Sequence, residues 1–278
     1  MGLGRYLLVL AALSAGAFRV SPRTASSHRC NTVVRGTPPV VTAAASPDII
    51  KAALISTASA FKQAQEAKWE AEAAENTFAQ ADDTGRGDEL SGDGELGRLR
   101  NETVSLIEEL ALLNPTPVPL AGWGEPGCPL EGTWRLLFTT GADATFRKTN
   151  STGRAVTFQK IDSRRRTFVN CVDFSSPGAK LRGFRVVVKG VRLSDTEVQL
   201  KFRRVRLLRR SRWLRALILP LPPSWFLRGV AKIASKGKAT PSPRGAGFTM
   251  LYLDEDIRCH KTFDGQYFVQ QRCRYQYR

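Results

Sequence analysis

GFTMLYLDEDIRCHKTFDGQYFVQQR, residues 247–272, puts three acidic residues in a row where acids are otherwise scarce. Runs rich in β-branched and aromatic residues flank them, and such runs read as strands. Phe248 to Leu253 forms the first, Ile257 to Phe263 the second and Gln266 to Arg272 the third. Asp264-Gly265 is expected to make a two-residue hairpin turn, because both residues tolerate the positive φ of a type I′ turn. Asp254 and Glu255 then form the tight turn before the second strand. There the acids have a structural use: they can pair with nearby arginines such as Arg258.

The same alternation extends upstream. TWRLLFTT (133–140) puts Trp134, Leu136 and Phe138 on one face, and AVTFQKI (155–161) puts Val156 and Phe158 together. RTFVNCVDF (166–174) offers Phe168, Val172 and Phe174. In GFRVVVKG (183–190), Phe184, Val186 and Val188 oppose Arg185, Val187 and Lys189. In EVQLKFR (197–203), Val198, Leu200 and Phe202 oppose Glu197, Gln199, Lys201 and Arg203. Apolar inward and basic outward, with turn signals between, is the pattern of an antiparallel barrel or sandwich.

Helices precede this β region. Residues 48–80 contain no Gly or Pro and are rich in Ala, Glu, Gln and Lys, with Ile50, Leu54, Ala58 and Phe61 on one stripe. A glycine- and acid-rich loop follows at 82–95. A second helix is expected from Leu96 to Leu113, where Leu99, Thr103, Leu106, Ile107 and Leu110 recur at helical spacing, and Asn114-Pro115 ends it. The arm of residues 46–94 reads either as a helical cap on the β domain (95–278) or as a separate partner-binding element; its a/d pattern is too short for a sustained coiled coil.

Charge is divided along the chain. The net charge is +17, built from +5 over residues 1–45, −10 over 46–131 and +22 over 132–278. A basic second half suits an anionic partner: lipid headgroups, nucleic acid or an acidic protein. Residues 1–17 read as a signal peptide, with Arg5 before a short apolar run and small residues after it. Residues 18–45 lack acids and are rich in Ser, Thr, Arg, Pro and Ala, as in a transit peptide. Signal peptide, Phe18 and transit-like stretch together resemble the bipartite presequence of complex plastids entered through the ER; a secreted protein with a propeptide is the alternative.

Three motifs carry a resemblance to a known family. IEELALLNPTPVPL (107–120), LEGTWRLLFTT (130–140) and LYLDEDIR with FDGQYFVQQR (251–258 and 263–272) occur in the order and spacing of the plastid lipid-associated (PAP)/fibrillin proteins. The resemblance covers about residues 95–272. It implies a mainly β, lipocalin-like antiparallel barrel with an N-terminal helical arm, at thylakoids or plastoglobules, that binds or organises apolar lipids, quinones or carotenoids without catalysis. An apolar lipid or isoprenoid ligand would lie against Trp134, Leu136, Phe138, Phe158, Phe184, Val186, Val188, Leu200 and Phe202. Asp254, Asp256 and Arg258 belong to the family motif. The Gly-x-Trp at 132–134 also resembles the first strand of lipocalins, where a tryptophan closes one end under a late arginine. Arg272, and secondarily Arg258, would take that place against Trp134.

Catalytic chemistry is not expected. After His28 the chain has one histidine, His260, and its neighbour Cys259 would point to the other face of a strand. No cysteine spacing suits a metal, no phosphate loop is present and no cofactor is implied. RLLRRSRWLRALILPLPPSWFLRG (206–229) is the other candidate surface. Arg209, Arg210 and Arg212 with Trp213, Trp225 and Phe226 suit an anionic membrane surface, cations on headgroups and aromatics at headgroup depth. The alternative is a basic plastid nucleic-acid or ribonucleoprotein accessory, although no helix-turn-helix, RRM or zinc pattern supports it.

Overall fold

A computed structural model describes residues 46–75, 94–141, 152–210, 215–220 and 244–274. Helices α1 (Pro47–Glu75) and α2 (Gly94–Ala111) precede strands β1 (Gly132–Thr139), β2 (Ala155–Asp162), β3 (Thr167–Phe174), β4 (Leu181–Arg192), β5 (Glu197–Arg209), β6 (Ala216–Pro220), β7 (Gly247–Leu253), β8 (Ile257–Thr262) and β9 (Tyr267–Arg272). The presequence lies outside the described residues.

All pairings between these strands are antiparallel and belong to one sheet. Successive hairpins join β1 to β5 and β7 to β9; β9 pairs with β1, and β7 with β5. The sheet is therefore ring-like, and no strand from β1 to β5 or β7 to β9 is left with a fully open edge. β5 changes partner along its length: Glu197–Gln199 pair with β7, and Arg204–Leu208 pair with β6.

The ring has a core on each side. Inside, Trp134, Ile161, Phe168, Val172, Phe184, Val186, Val188, Val198, Val205, Leu207, Phe248 and Met250 form one buried cluster. Outside, both helices lie over β1, β7, β8 and β9. Ile50, Leu54, Ala58 and Phe61 of α1 and Leu99, Ile107 and Leu110 of α2 pack on Phe138, Tyr252, Ile257, Cys259 and Val269. Each such apolar side chain is worth ~1.5–3 kcal/mol when fully buried. The arm is thus a cap on the sheet, seated by the stripe that its helical spacing defines.

Irregular pairing reverses some expected faces. The register between β1 and β9 slips between Leu136 and Phe138, so one extra residue turns the strand over. Leu136 pairs with Gln270, whereas Phe138 joins the outer core, edge-on to Phe61 at 5.0 Å between ring centroids. Phe158 is also outside. It stands opposite Arg135 and Cys171, while its neighbour Gln159 stands opposite Trp134 on the inner face. On β5 the slip lies between the partners of Val187 and Val188, so the inner series runs Val198, Leu200, Phe202 and then Val205, Leu207.

The β8–β9 turn differs from the two-residue expectation as well. Gly265 has φ +92°, but Asp264 is not left-handed. Thr262 N–H donates to Gln266 O and Gly265 N–H donates to Thr262 O. This is a three-residue loop, Phe263–Gly265, in which only the last residue needs positive φ.

Candidate functional site

One end of the ring is closed by Trp134. It is completely buried, and its indole N–H donates to Leu130 O at 3.1 Å. The Arg272 guanidinium lies 4.2 Å from the ring centroid and Arg258 lies 5.2 Å from it. Arg272 ties the end together through backbone carbonyls: Nη1 donates to Glu131 O at 2.7 Å, Nη2 to Pro129 O at 3.1 Å and Nε to Glu255 O at 2.6 Å. A planar fork on an indole face, with its edges on carbonyls, holds three segments at once. The approach explains Gly132. Its φ is +138°, and a Cβ there would lie 2.6 Å from Arg272 Nη1.

Arg258 does something else. Asp254 does not pair with it. Strand β8 sends Arg258 inward and Ile257 and Cys259 outward to the helices. The guanidinium is completely buried. Its Nη2 donates to the side-chain oxygens of Gln159 and Gln270, and Gln159 donates in turn to Asn170 Oδ1 at 2.6 Å. Nε and Nη1 have no hydrogen-bond partner among the described residues. Burial pushes the Arg258 pKa down to about 9, with the charge of Arg272 adding to the effect. It remains a cation at neutral pH.

His260 is the next inward residue of β8. It is buried between Phe248 and Phe268, stacked on the latter at 4.9 Å, and its Nδ1 has no partner among the described residues. Burial holds it well below the usual histidine range, so it is neutral. Cys259 faces the outer core, so it and His260 do not meet. The interior thus carries a polar set on one wall, Gln159, Asn170, Arg258, His260 and Gln270, that an apolar alternation did not anticipate. The signal was there in β8: arginine and histidine occupy the inward phase that Phe248 and Met250 occupy in β7.

The acidic run from the opening stretch has a different use. Asp254 Oδ1 accepts the backbone N–H groups of Asp256 and Ile257, at 2.8 and 2.6 Å, and so shapes the β7–β8 turn. Its Oδ2 accepts Lys51 Nζ and Tyr252 Oη, both at 2.8 Å. Burial opposes the charged form, but Lys51, the two turn N–H groups and Tyr252 outweigh it and hold Asp254 below the usual carboxylate range. Nearby, Asn114 Oδ1 accepts Leu253 N–H at 3.0 Å. Both helices are therefore pinned to this turn, α1 by Lys51 and the end of α2 by Asn114.

Where it is described, the basic segment forms the antiparallel strands β5 and β6. Arg203, Arg204, Arg206, Arg209 and Arg210 are exposed on or after β5, and Ile218 of β6, directly opposite Arg206, is 54% exposed. On the inner side Leu200, Phe202, Leu217 and Leu219 are half-buried against the interior cluster. Arg212, Trp213, Trp225 and Phe226 lie outside the described residues. A cleft between α1 and β1–β2, lined by Trp69, Phe138 and Val156, has a cavity volume of about 70 Å³, far below the few hundred Å³ of ordinary ligand pockets. Among the described residues no cluster of metal-ligating side chains occurs, and no helix is long and apolar enough to cross a membrane.

A ring-like antiparallel sheet, closed at one end by a tryptophan under arginine and capped by two helices, defines a mainly β protein built around an interior. Comparison with known families matches residues 81–271 to PAP_fibrillin, and the chain belongs to that family. Membership places it among the plastid lipid-associated proteins, a generally structural group. Searches of curated proteins and of solved structures found no match.

Proposed function

We propose that this chain is a non-enzymatic protein that binds or organises apolar lipids, such as quinones, carotenoids or acyl lipids, at thylakoid or plastoglobule surfaces, in a plastid reached through the ER. One observation carries the reading. Where β5 changes partner from β7 to β6, the inward Leu200, Phe202, Leu217 and Leu219 are only half-buried, and exposed arginines stand on the same hairpin. An apolar lining beside a basic surface suits a protein that meets an anionic membrane and exchanges apolar molecules with it. Trp213, Trp225 and Phe226, near this hairpin in the sequence, are of the residue types that anchor at headgroup depth.

Lipid extraction of the natively purified protein followed by mass spectrometry tests the ligand; a purified protein that retains no lipid argues against a held molecule. Flotation tests the surface. Changing Arg209, Arg210 and Arg212 to Gln should weaken binding to anionic plastid-lipid liposomes and flatten its salt dependence, since each basic side chain contributes ~1 kcal/mol near such a surface. Tighter binding of the wild type to RNA than to liposomes at equal salt would favour the nucleic-acid alternative.

A further inference from the structure

The interior holds a cation whose bonding is incomplete. A guanidinium has five N–H donors, one on Nε and two on each terminal nitrogen. In Arg258 the Gln159 and Gln270 oxygens occupy Nη2, which leaves the one donor of Nε and the two of Nη1. Among the described residues no carboxylate forms an ion pair with it, and the like-charged Arg272 lies over the same Trp134 ring. A buried charge is ordinarily paired and fully hydrogen-bonded.

Closing the ring does not account for Arg258. Arg272 is the nearer of the two to Trp134 and alone supplies the three carbonyl contacts that seal that end. Nor do the glutamines neutralise it. They fix its plane from β2 and β9, with Gln159 itself fixed by Asn170. The result is an oriented cation facing an interior whose buried apolar cluster includes Phe168, Val186, Val188 and Phe248. His260, two residues along the same face and so about 7 Å away, adds a third unpartnered buried nitrogen.

We infer that the interior takes a single-chain amphiphile with a carboxylate head, the head accepting hydrogen bonds from Arg258 Nε and Nη1 and the alkyl chain lying along the apolar cluster. The free donors belong to one guanidinium, since each nitrogen of Arg272 already donates to a carbonyl, and a monoanion with two oxygens matches the single Nε–Nη1 edge. A neutral carbonyl would satisfy the donors but not the charge. The inference rests on the proposed lipid-binding function and names the class of its ligand.

Equilibrium binding of radiolabelled oleate and methyl oleate to the delipidated full chain tests it. Oleate should bind roughly 10- to 100-fold tighter than its ester, the worth of a charge-assisted hydrogen bond in a buried site. Arg258→Gln should abolish that preference while still binding the ester, and Arg209→Gln with Arg210→Gln should leave it intact. Because Arg258→Gln could fail to fold, the wild type is also measured with carboxyl-¹³C oleate. The bound carboxyl should stay ionised below the pH at which free fatty acid protonates. Equal affinity for acid and ester, a preference that survives Arg258→Gln, or a bound carboxyl that titrates like the free acid overturns the carboxylate anchor and leaves lipid binding standing. Binding of neither molecule overturns the anchor and the interior lipid site together.

Discussion

Asp254 is where the turn, both strands and the first helix meet, and its removal can be worked out bond by bond. Asp254→Ala takes the acceptor from four donors. The Asp256 N–H is exposed and regains water, and the Ile257 N–H is part-buried, so their loss costs about 1 kcal/mol together. Tyr252 Oη loses its acceptor and Lys51 Nζ loses its shortest ion pair, keeping only Asp256 at 3.5 Å and Asp48 at 3.9 Å; together these losses cost about 2 kcal/mol more, the range for bonds to a charged group. The sum, ~3 kcal/mol, corresponds to a Tm drop of roughly 6–12 °C at 2–4 °C per kcal/mol for a domain of this size. Asp254→Asn keeps a turn acceptor but can set an amide N–H₂ against two donors, and should cost about 2 kcal/mol. The native carboxyl is held below its ordinary value. Its contribution is therefore present above the unfolded pKa of ~3.9 and disappears as pH falls through the lower folded value. Urea unfolding at neutral and acid pH measures both effects: wild-type stability should fall more steeply on acidification below about pH 4 than that of Asp254→Asn. A neutral-pH midpoint for Asp254→Ala within 0.5 kcal/mol of wild type would refute the assignment. So would zero coupling in a Lys51→Met, Asp254→Asn cycle.

Trp134→Ala should destabilise by ~3–5 kcal/mol, the usual cost of truncating a fully buried aromatic, read by denaturant unfolding. A loss under 1 kcal/mol would show that the end of the ring does not depend on it. Phe61→Ala should loosen α1 by ~3 kcal/mol and raise proteolytic cleavage in that helix before the sheet unfolds, since Phe61 packs edge-on to Phe138 beneath it. Cys259, whose thiol burial pushes well above the ordinary range, should resist iodoacetamide in the native state while the half-buried Cys273 reacts sooner; labelling in the reverse order would contradict the outer core.

Periodicity alone determined a good deal. The stripes on α1 and α2, the inward series of β4 and the first half of β5, and the family motifs are all local patterns, and local patterns carry the period of the element they form. A late arginine against Trp134 came instead from the resemblance of Gly-x-Trp to the lipocalin first strand, with Arg272 and secondarily Arg258 as candidates; both lie over the ring, Arg272 the nearer. Other assignments depended on contacts between distant segments. A one-residue bulge is invisible in the alternation of TWRLLFTT, so the face of Phe138 follows from β9 and α1 and not from its own strand. Phe158 is placed by its two neighbours across the sheet. Asp254 and Arg258 are four residues apart and of opposite charge, yet the strand between them turns one to Lys51, some two hundred residues earlier, and the other into the interior. Charge complementarity in a sequence has no direction; the pleat and the helix laid across it supply one, and so the same arginine becomes a buried cation instead of a surface partner.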